Sequence, residues 1–275
     1  MGVLRSTVLI DAPVRTVAAA LREVTTWGQA VAAAGGRLQV NAEGALLVLG
    51  DELKCAFPLL PAQRLRVDHV DEHGLSLVTD NGGGVTVRVA DTGGGVLVTE
   101  SLSWNNPLGK LGDLLMFRRL VLRLLAAHRT QVELRSLELA AAKIVVAAAV
   151  VREGTLLVQQ RSYPMSLAGK WELPGGRVEP GETEEEALVR ECHEEMGVVV
   201  RPLGRLGPDI PLPGVGLLRT HTAWLDAADV QPRAVEHRAV RWVAAAHLAG
   251  LDWVAADRVL VPALVALTEQ VSADQ

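Results

Sequence analysis

Gly176-Arg-Val-Glu-Pro-Gly-Glu182, followed after seven residues by Arg190-Glu-Cys-His-Glu-Glu-Met-Gly-Val198, is the stretch on which the reading of this chain turns. Thr183 with Glu186 three residues on is a capping-box signature for a helix start, and Gly197 stands where a helix C′ glycine belongs. A helix from about Glu184 to Met196 is therefore expected. On it Glu191, Glu194 and Glu195 are spaced i, i+3, i+4, so their carboxylates converge on one face and repel one another unless a cation neutralises them. Hard carboxylate oxygens favour Mg²⁺, with Mn²⁺ as a substitute, over zinc. The plainer alternative is a solvated acidic helix face, but Gly175, Gly176, Glu182 and Arg190 tilt the balance away from it. Arg190 is spaced to pair with Glu182 or Glu194 and so to orient the acidic set.

The order glycine, five residues, glutamate, seven residues, then Arg-Glu-apolar-any-Glu-Glu-any-Gly-apolar resembles the Nudix box at each of its specified positions. A window with so many fixed letters is far more specific than a lone glycine motif. The resemblance implies an α/β/α sandwich with a mixed sheet and Mg²⁺-dependent hydrolysis of a diphosphate in a nucleotide-type substrate. It also implies Glu191, Glu194 and Glu195 as the principal metal ligands, joined by the Gly175 carbonyl.

Upstream, Trp171-Glu-Leu-Pro-Gly-Gly176 resembles the approach loop of MutT-like Nudix enzymes, and Arg161, eleven residues before Glu172, matches their phosphate-contacting arginine. Arg161 and Glu172 are thus expected at the substrate, the alternative for Arg161 being a surface arginine after a strand. Downstream, Glu236-His-Arg-Ala-Val-Arg-Trp242 resembles the region of a further metal-associated carboxylate. Glu236 would complete the metal shell or act as general base, or else be an ordinary loop glutamate. In Leu251-Asp-Trp-Val-Ala-Ala-Asp257, Asp257 takes the base-reading position of the MutT-like segment. A carboxylate only accepts hydrogen bonds, which suits the N4 amine of cytosine. CTP, dCTP or 5-methyl-dCTP is therefore the first expectation, with 8-oxo-dGTP the alternative should Asp257 be protonated. Asp257 as N-cap of the terminal helix is the bland reading. Cys192, in an apolar slot of the box, reads as a small buried hydrophobe.

A chain of 275 residues points to roughly two domains of about 100–150 residues each. The division expected is 1–140 and 141–275, with the alanine-rich Leu139–Lys143 as junction and a strand beginning at Ile144. The composition, 49% hydrophobic and 21% charged, is that of a folded globular protein, and the order of expected elements in the two halves points to an α+β two-domain architecture. A net charge of −5 speaks against a nucleic-acid polymer as partner. Two distant cysteines, Cys55 and Cys192, suggest neither a disulfide framework nor zinc, and a cytoplasmic location fits. Neither a secretion signal nor a membrane span is expected, since the longest apolar run, Ile144–Val151, is too short to cross a bilayer.

In the first half, Leu4–Ile10 reads as a strand, Val14–Val24 as a helix opened by Asp11-Ala-Pro13, and Arg37–Trp104 as an antiparallel meander broken by turns such as Asn81-Gly-Gly-Gly84. An amphipathic helix is expected from Pro107 to about Leu139, carried by Leu111, Leu114, Leu115, Leu120, Leu122, Leu124 and Leu125. This order, with Ser6-Thr-Val-Leu-Ile-Asp-Ala-Pro13 and Trp27, resembles the START-like superfamily, whose helix-grip sheet wraps a long helix. The resemblance implies an apolar ligand for this half; an unrelated α+β domain with a packed interior is the alternative. A homodimer is compatible with the sequence.

Overall fold

The computed structural model describes residues 2–41, 44–58, 60–104, 118–227 and 230–273. The chain divides into two compact units, Met1–Ala141 and Ala142–Gln275.

In the first unit the order is β1 (Gly2–Ile10), α1 (Val14–Arg22), α2 (Val24–Ala33), β2 (Arg37–Asn41), β3 (Glu52–Ala56), β4 (Gln63–Asp71), β5 (Gly74–Thr79), β6 (Gly84–Asp91), β7 (Val96–Trp104) and α3 (Arg118–Ala140). The strands form one antiparallel sheet in the order β1-β7-β6-β5-β4-β3-β2, a meander whose last strand pairs with the first. Period-two alternation on β7 turns Val96, Val98, Glu100 and Leu102 inward. They meet Val17 and Leu21 of α1 and Val121, Leu125 and Val132 of α3, each fully buried aliphatic contributing about 1.5–3 kcal/mol.

Two expectations change here. The single helix over Val14–Val24 is broken at Glu23, which adopts an extended conformation (ψ 127°) and starts a second helix. The Glu23 carboxylate is buried and accepts from Arg135 Nη2 at 2.9 Å, so an ion pair to α3 overrides local helix propensity. Of the long helix, Pro107, Leu111, Leu114 and Leu115 lie outside the described residues. Its inward stripe is Val121, Leu125, His128, Val132, Ser136 and Leu139, whereas Leu122 is half-exposed. His128 Nδ1 and Glu100 Oε1 lie 2.6 Å apart inside the core, and Trp27 packs on the imidazole with ring centroids 4.0 Å apart.

The second unit runs β8 (Ile144–Arg152), β9 (Thr155–Gln160), β10 (Trp171–Glu172), α4 (Glu184–Met196), β11 (Val200–Leu212), β12 (Gly216–Leu225), β13 (Ala239–Ala244), α5 (Ala245–Leu248), α6 (Ala255–Arg258) and α7 (Val261–Ala273). Its sheet is mixed: β12 lies parallel to β8, while the other pairings are antiparallel. Ala187, Leu188, Cys192 and Met196 of α4 pack on Val146, Ala148, Val150 and Leu157. Cys192 is a free, fully buried thiol whose ionisation burial opposes. Among the described residues no helix is long and apolar enough to cross a membrane.

Candidate active site

Helix α4 has defined ends. Glu186 N–H donates to Thr183 Oγ1 at 3.2 Å and Thr183 N–H to Glu186 Oε2 at 2.8 Å, while Gly197 closes the helix at φ 68°. The rotation that buries Cys192 and Met196 carries Glu195 to the edge of the core, where it is 7% exposed, and leaves Glu194 towards solvent.

Arg190 is the hub of the acidic face. Its Nε and Nη2 grip Glu182 in a two-point pair at 2.9 and 3.0 Å, and Nη1 reaches Glu191 Oε1 at 2.9 Å and Glu194 Oε2 at 3.3 Å. Nη2 also donates to the Arg177 carbonyl, fixing the loop that leads into the helix. The guanidinium holds the Glu182 carboxyl below the usual carboxylate range. Burial pushes Glu191 up, and Arg190 only partly offsets this.

Glu195 is held from the sheet side. Gln159 Nε2 donates to its Oε2 at 2.8 Å and Gly175 N–H to the same oxygen at 3.0 Å. Burial nevertheless raises this carboxyl to about 7. The approach loop is pinned to β8 by Val146 N–H to the Gly176 carbonyl and Ala148 N–H to the Pro174 carbonyl. A side chain at either loop glycine would displace a neighbour. At Gly175 (φ 151°) a Cβ would lie 2.1 Å from the Val146 oxygen, and at Gly176 it would meet the Glu191 carboxylate at 2.2 Å.

A second line of charge runs along the neighbouring edge. Arg161 donates through Nη1 to Glu172 Oε2 at 2.5 Å and through Nε to the Tyr163 carbonyl, and the other Glu172 oxygen lies 2.8 Å from His237 Nε2. His237 Nδ1 faces Glu195 Oε1 at 3.7 Å. Asp257 sits within α6, fully buried, and its Oδ2 accepts the Leu173 N–H at 2.7 Å; burial lifts its carboxyl to about 7. It does not cap the terminal helix, which begins at Val261.

The structure therefore gathers Arg190, Glu191 and Glu194 into one cluster, and Glu195 with Gly175, Glu172 and Arg161 into a line beside it. Glu236 stands apart from both groups. Its side chain is exposed, its carbonyl accepts Ser162 Oγ at 2.9 Å, and the inward position beside Glu195 belongs to its neighbour His237. Sequence reasoning missed His237 and Gln159. The quoted motif contained His237, but the carboxylate next to it drew the assignment. Gln159 lies in a strand buried on both faces, where alternation gives no sign of which residues face α4.

Among the described residues no three His, Cys, Asp or Glu side chains are grouped to hold a metal ion in this arrangement, in which Arg190 neutralises Glu191 and Glu194. The donor set is still one a hard cation fits: carboxylate oxygens on one helix face, against a glycine loop whose missing Cβ makes room for Glu191.

Residues 142–264 match the family described as NUDIX domain. A Mycobacterium tuberculosis protein carrying the provisional name 8-oxo-dGTP diphosphatase 2 is 52% identical over 119 residues, 42% of this chain and 83% of that protein. The CTP pyrophosphohydrolase of Escherichia coli is 50% identical over 54 residues, 20% of this chain and 40% of that protein. The solution structure of the E. coli ORF135 protein shares 32% identity at a TM-score of 0.41, covering 48% of this chain and 94% of that one. The chain belongs to the Nudix family, and its second unit is a Nudix hydrolase domain.

Proposed function

We propose that the second unit hydrolyses a nucleoside triphosphate to the monophosphate and pyrophosphate. The observation that carries this is the pairing of an Arg190-organised carboxylate cluster with a buried Glu195 that is linked through His237 and Glu172 to Arg161. Glu191, Glu194, Glu195 and the Gly175 carbonyl would hold Mg²⁺ or, in its place, Mn²⁺. When bound, the cation polarises the diphosphate oxygens and lowers the pKa of a coordinated water. Arg161, already aligned by Glu172, binds a phosphate, and Arg190 keeps the carboxylates oriented while substrate enters and leaves.

For the base, Asp257 accepts the Leu173 N–H through Oδ2, and its other oxygen is the one assigned to the base edge. Ionised, it accepts from the N4 amine of CTP, dCTP or 5-methyl-dCTP. Protonated, it donates to a purine carbonyl, and a carboxyl lifted to about 7 makes that form accessible, which favours 8-oxo-dGTP as a second reading. The names of the relatives divide along the same line.

For the first unit we propose a START-like domain with an apolar ligand. The support is its order of strand, two helices, six-strand meander and long helix, with one sheet face packed on that helix.

The test is product analysis of the purified full chain with Mg²⁺ against CTP, dCTP, 5-methyl-dCTP, dGTP and 8-oxo-dGTP, with Glu194→Gln as control. Monophosphate and pyrophosphate in equal amounts, lost in the control, support the reaction. Absence of turnover of all five overturns the triphosphate reading.

A further inference from the structure

Glu195 is bound tightly on one oxygen and loosely on the other. Oε2 takes Gln159 Nε2 and the Gly175 N–H, whereas Oε1 has His237 Nδ1 opposite it at 3.7 Å, beyond hydrogen-bond range by a few tenths of an ångström. The His237 side chain is only 10% exposed, and its Nδ1 is buried without a hydrogen-bond partner. A buried ring nitrogen left unsatisfied costs stability, so its placement calls for an explanation beyond packing.

The imidazole is not free to turn. Its Nε2 is bound to Glu172 at 2.8 Å, and the second Glu172 oxygen is bound to Arg161. With Nε2 held at Glu172, the ring presents Nδ1 on the side that faces Glu195. The backbone adds a second restraint, since Ser162 Oγ donates to the Glu236 carbonyl and Arg238 N–H to the Gln160 carbonyl. The loop carrying His237 is thereby stapled on both sides to the strand end that carries Arg161.

We propose that Glu172 and His237 form a positioning pair that fixes the outer oxygen of Glu195 and couples its orientation to Arg161. This deepens the reading of Glu195 as a metal ligand and rests on it. Neither residue needs to touch the reacting atoms. The pair completes a chain Arg161–Glu172–His237–Glu195, anchored at its far end by Gln159 and Gly175. Outer partners of this kind typically alter metal affinity or activity by about 10- to 100-fold when removed.

The experiment measures Mn²⁺ binding to the full chain from the electron paramagnetic resonance signal of free Mn²⁺, together with kcat and KM for CTP and 8-oxo-dGTP. The variants are His237→Ala, His237→Gln, Glu172→Gln, the His237→Ala/Glu172→Gln double and Glu195→Gln, and thermal melts check folding. His237→Gln keeps a donor towards Glu172 and loses the contact with Glu195, so it tests the pair even if the alanine variant folds poorly.

Both His237 variants are expected to bind Mn²⁺ about tenfold more weakly, with kcat down roughly 10- to 100-fold and KM within about threefold. The double variant is expected to bind Mn²⁺ no more weakly than the worse single, because the chain is broken only once. Wild-type Mn²⁺ affinity in the His237 variants, or losses that multiply in the double, overturns the pairing while leaving Glu195 as a ligand. Wild-type affinity in Glu195→Gln overturns the ligand reading and this inference with it.

Discussion

Gln159 Nε2 and Glu195 Oε2 are 2.8 Å apart across the seam between β9 and α4, and both side chains are buried. An amide from the sheet thus stabilises the ionised form of a carboxylate that burial would otherwise keep protonated, and the balance leaves that group near 7.

Because a cation must displace the proton from Glu195, the metal affinity of the free protein is expected to fall on the acid side of about pH 7. Gln159→Leu removes a donor to the charged form without reducing burial, so the acid limb moves to higher pH, by roughly one unit for a hydrogen bond of about 1–2 kcal/mol. Mn²⁺ affinity measured between pH 5.5 and 9 checks this. An unmoved limb would exclude Glu195 as the group that titrates.

The two loop glycines separate catalysis from folding. Gly176→Ala drives a methyl into the Glu191 carboxylate, which is a side chain and can move aside, so kcat is expected to fall about tenfold or more while the melting temperature stays within a few degrees. At Gly175 the obstacle is the Val146 carbonyl of β8, and the residue has φ 151°. Gly175→Ala is therefore expected to lower the melting temperature clearly. Thermal melts read beside initial rates distinguish the two, and equal melting losses would refute the contrast.

Asp257 carries a stability signature. Its folded carboxyl sits near 7 against an ordinary 3.8, so the folded state holds the proton more tightly than the unfolded chain. That contribution is fully present below about pH 4 and is lost as pH rises through about 7. Asp257→Asn removes the titration, so its unfolding free energy should decline less than that of the parent between pH 5 and 7.5. Urea melts at those two pH values decide it. In the parent, turnover of 8-oxo-dGTP relative to CTP is expected to fall over the same interval as Asp257 ionises, and a constant ratio would remove Asp257 from base reading.

In the first unit, Glu100 Oε2 and His128 Nε2 are buried without hydrogen-bond partners, although the two side chains pair with each other. Removing one member strands the other, so Glu100→Ala or His128→Ala should cost about 3–5 kcal/mol. Glu100→Leu with His128→Leu removes both polar groups and is expected to be markedly milder than either single alanine substitution. Denaturant unfolding of the three variants tests this ordering.

The helix Glu184–Met196, with its start and stop and the clustering of Glu191, Glu194 and Glu195, was legible in the sequence because capping and three- and four-residue spacing act within a turn or two. The strand beginning at Ile144 was legible for the same local reason, in its apolar run. The break at Glu23 was not, because the partner that causes it, Arg135, lies 112 positions away. Nor was the placement of His237 beside Glu195, the hydrogen bond from Gln159 to Glu195, or the anchoring of Asp257 to Leu173. Sequence by itself determined which carboxylates exist and that they share a helix face. Only the tertiary structure decided which of them is buried, which basic or amide group faces it, and hence which holds a proton near neutral pH, because desolvation and long-range hydrogen bonds are properties of packed surroundings rather than of spacing along the chain.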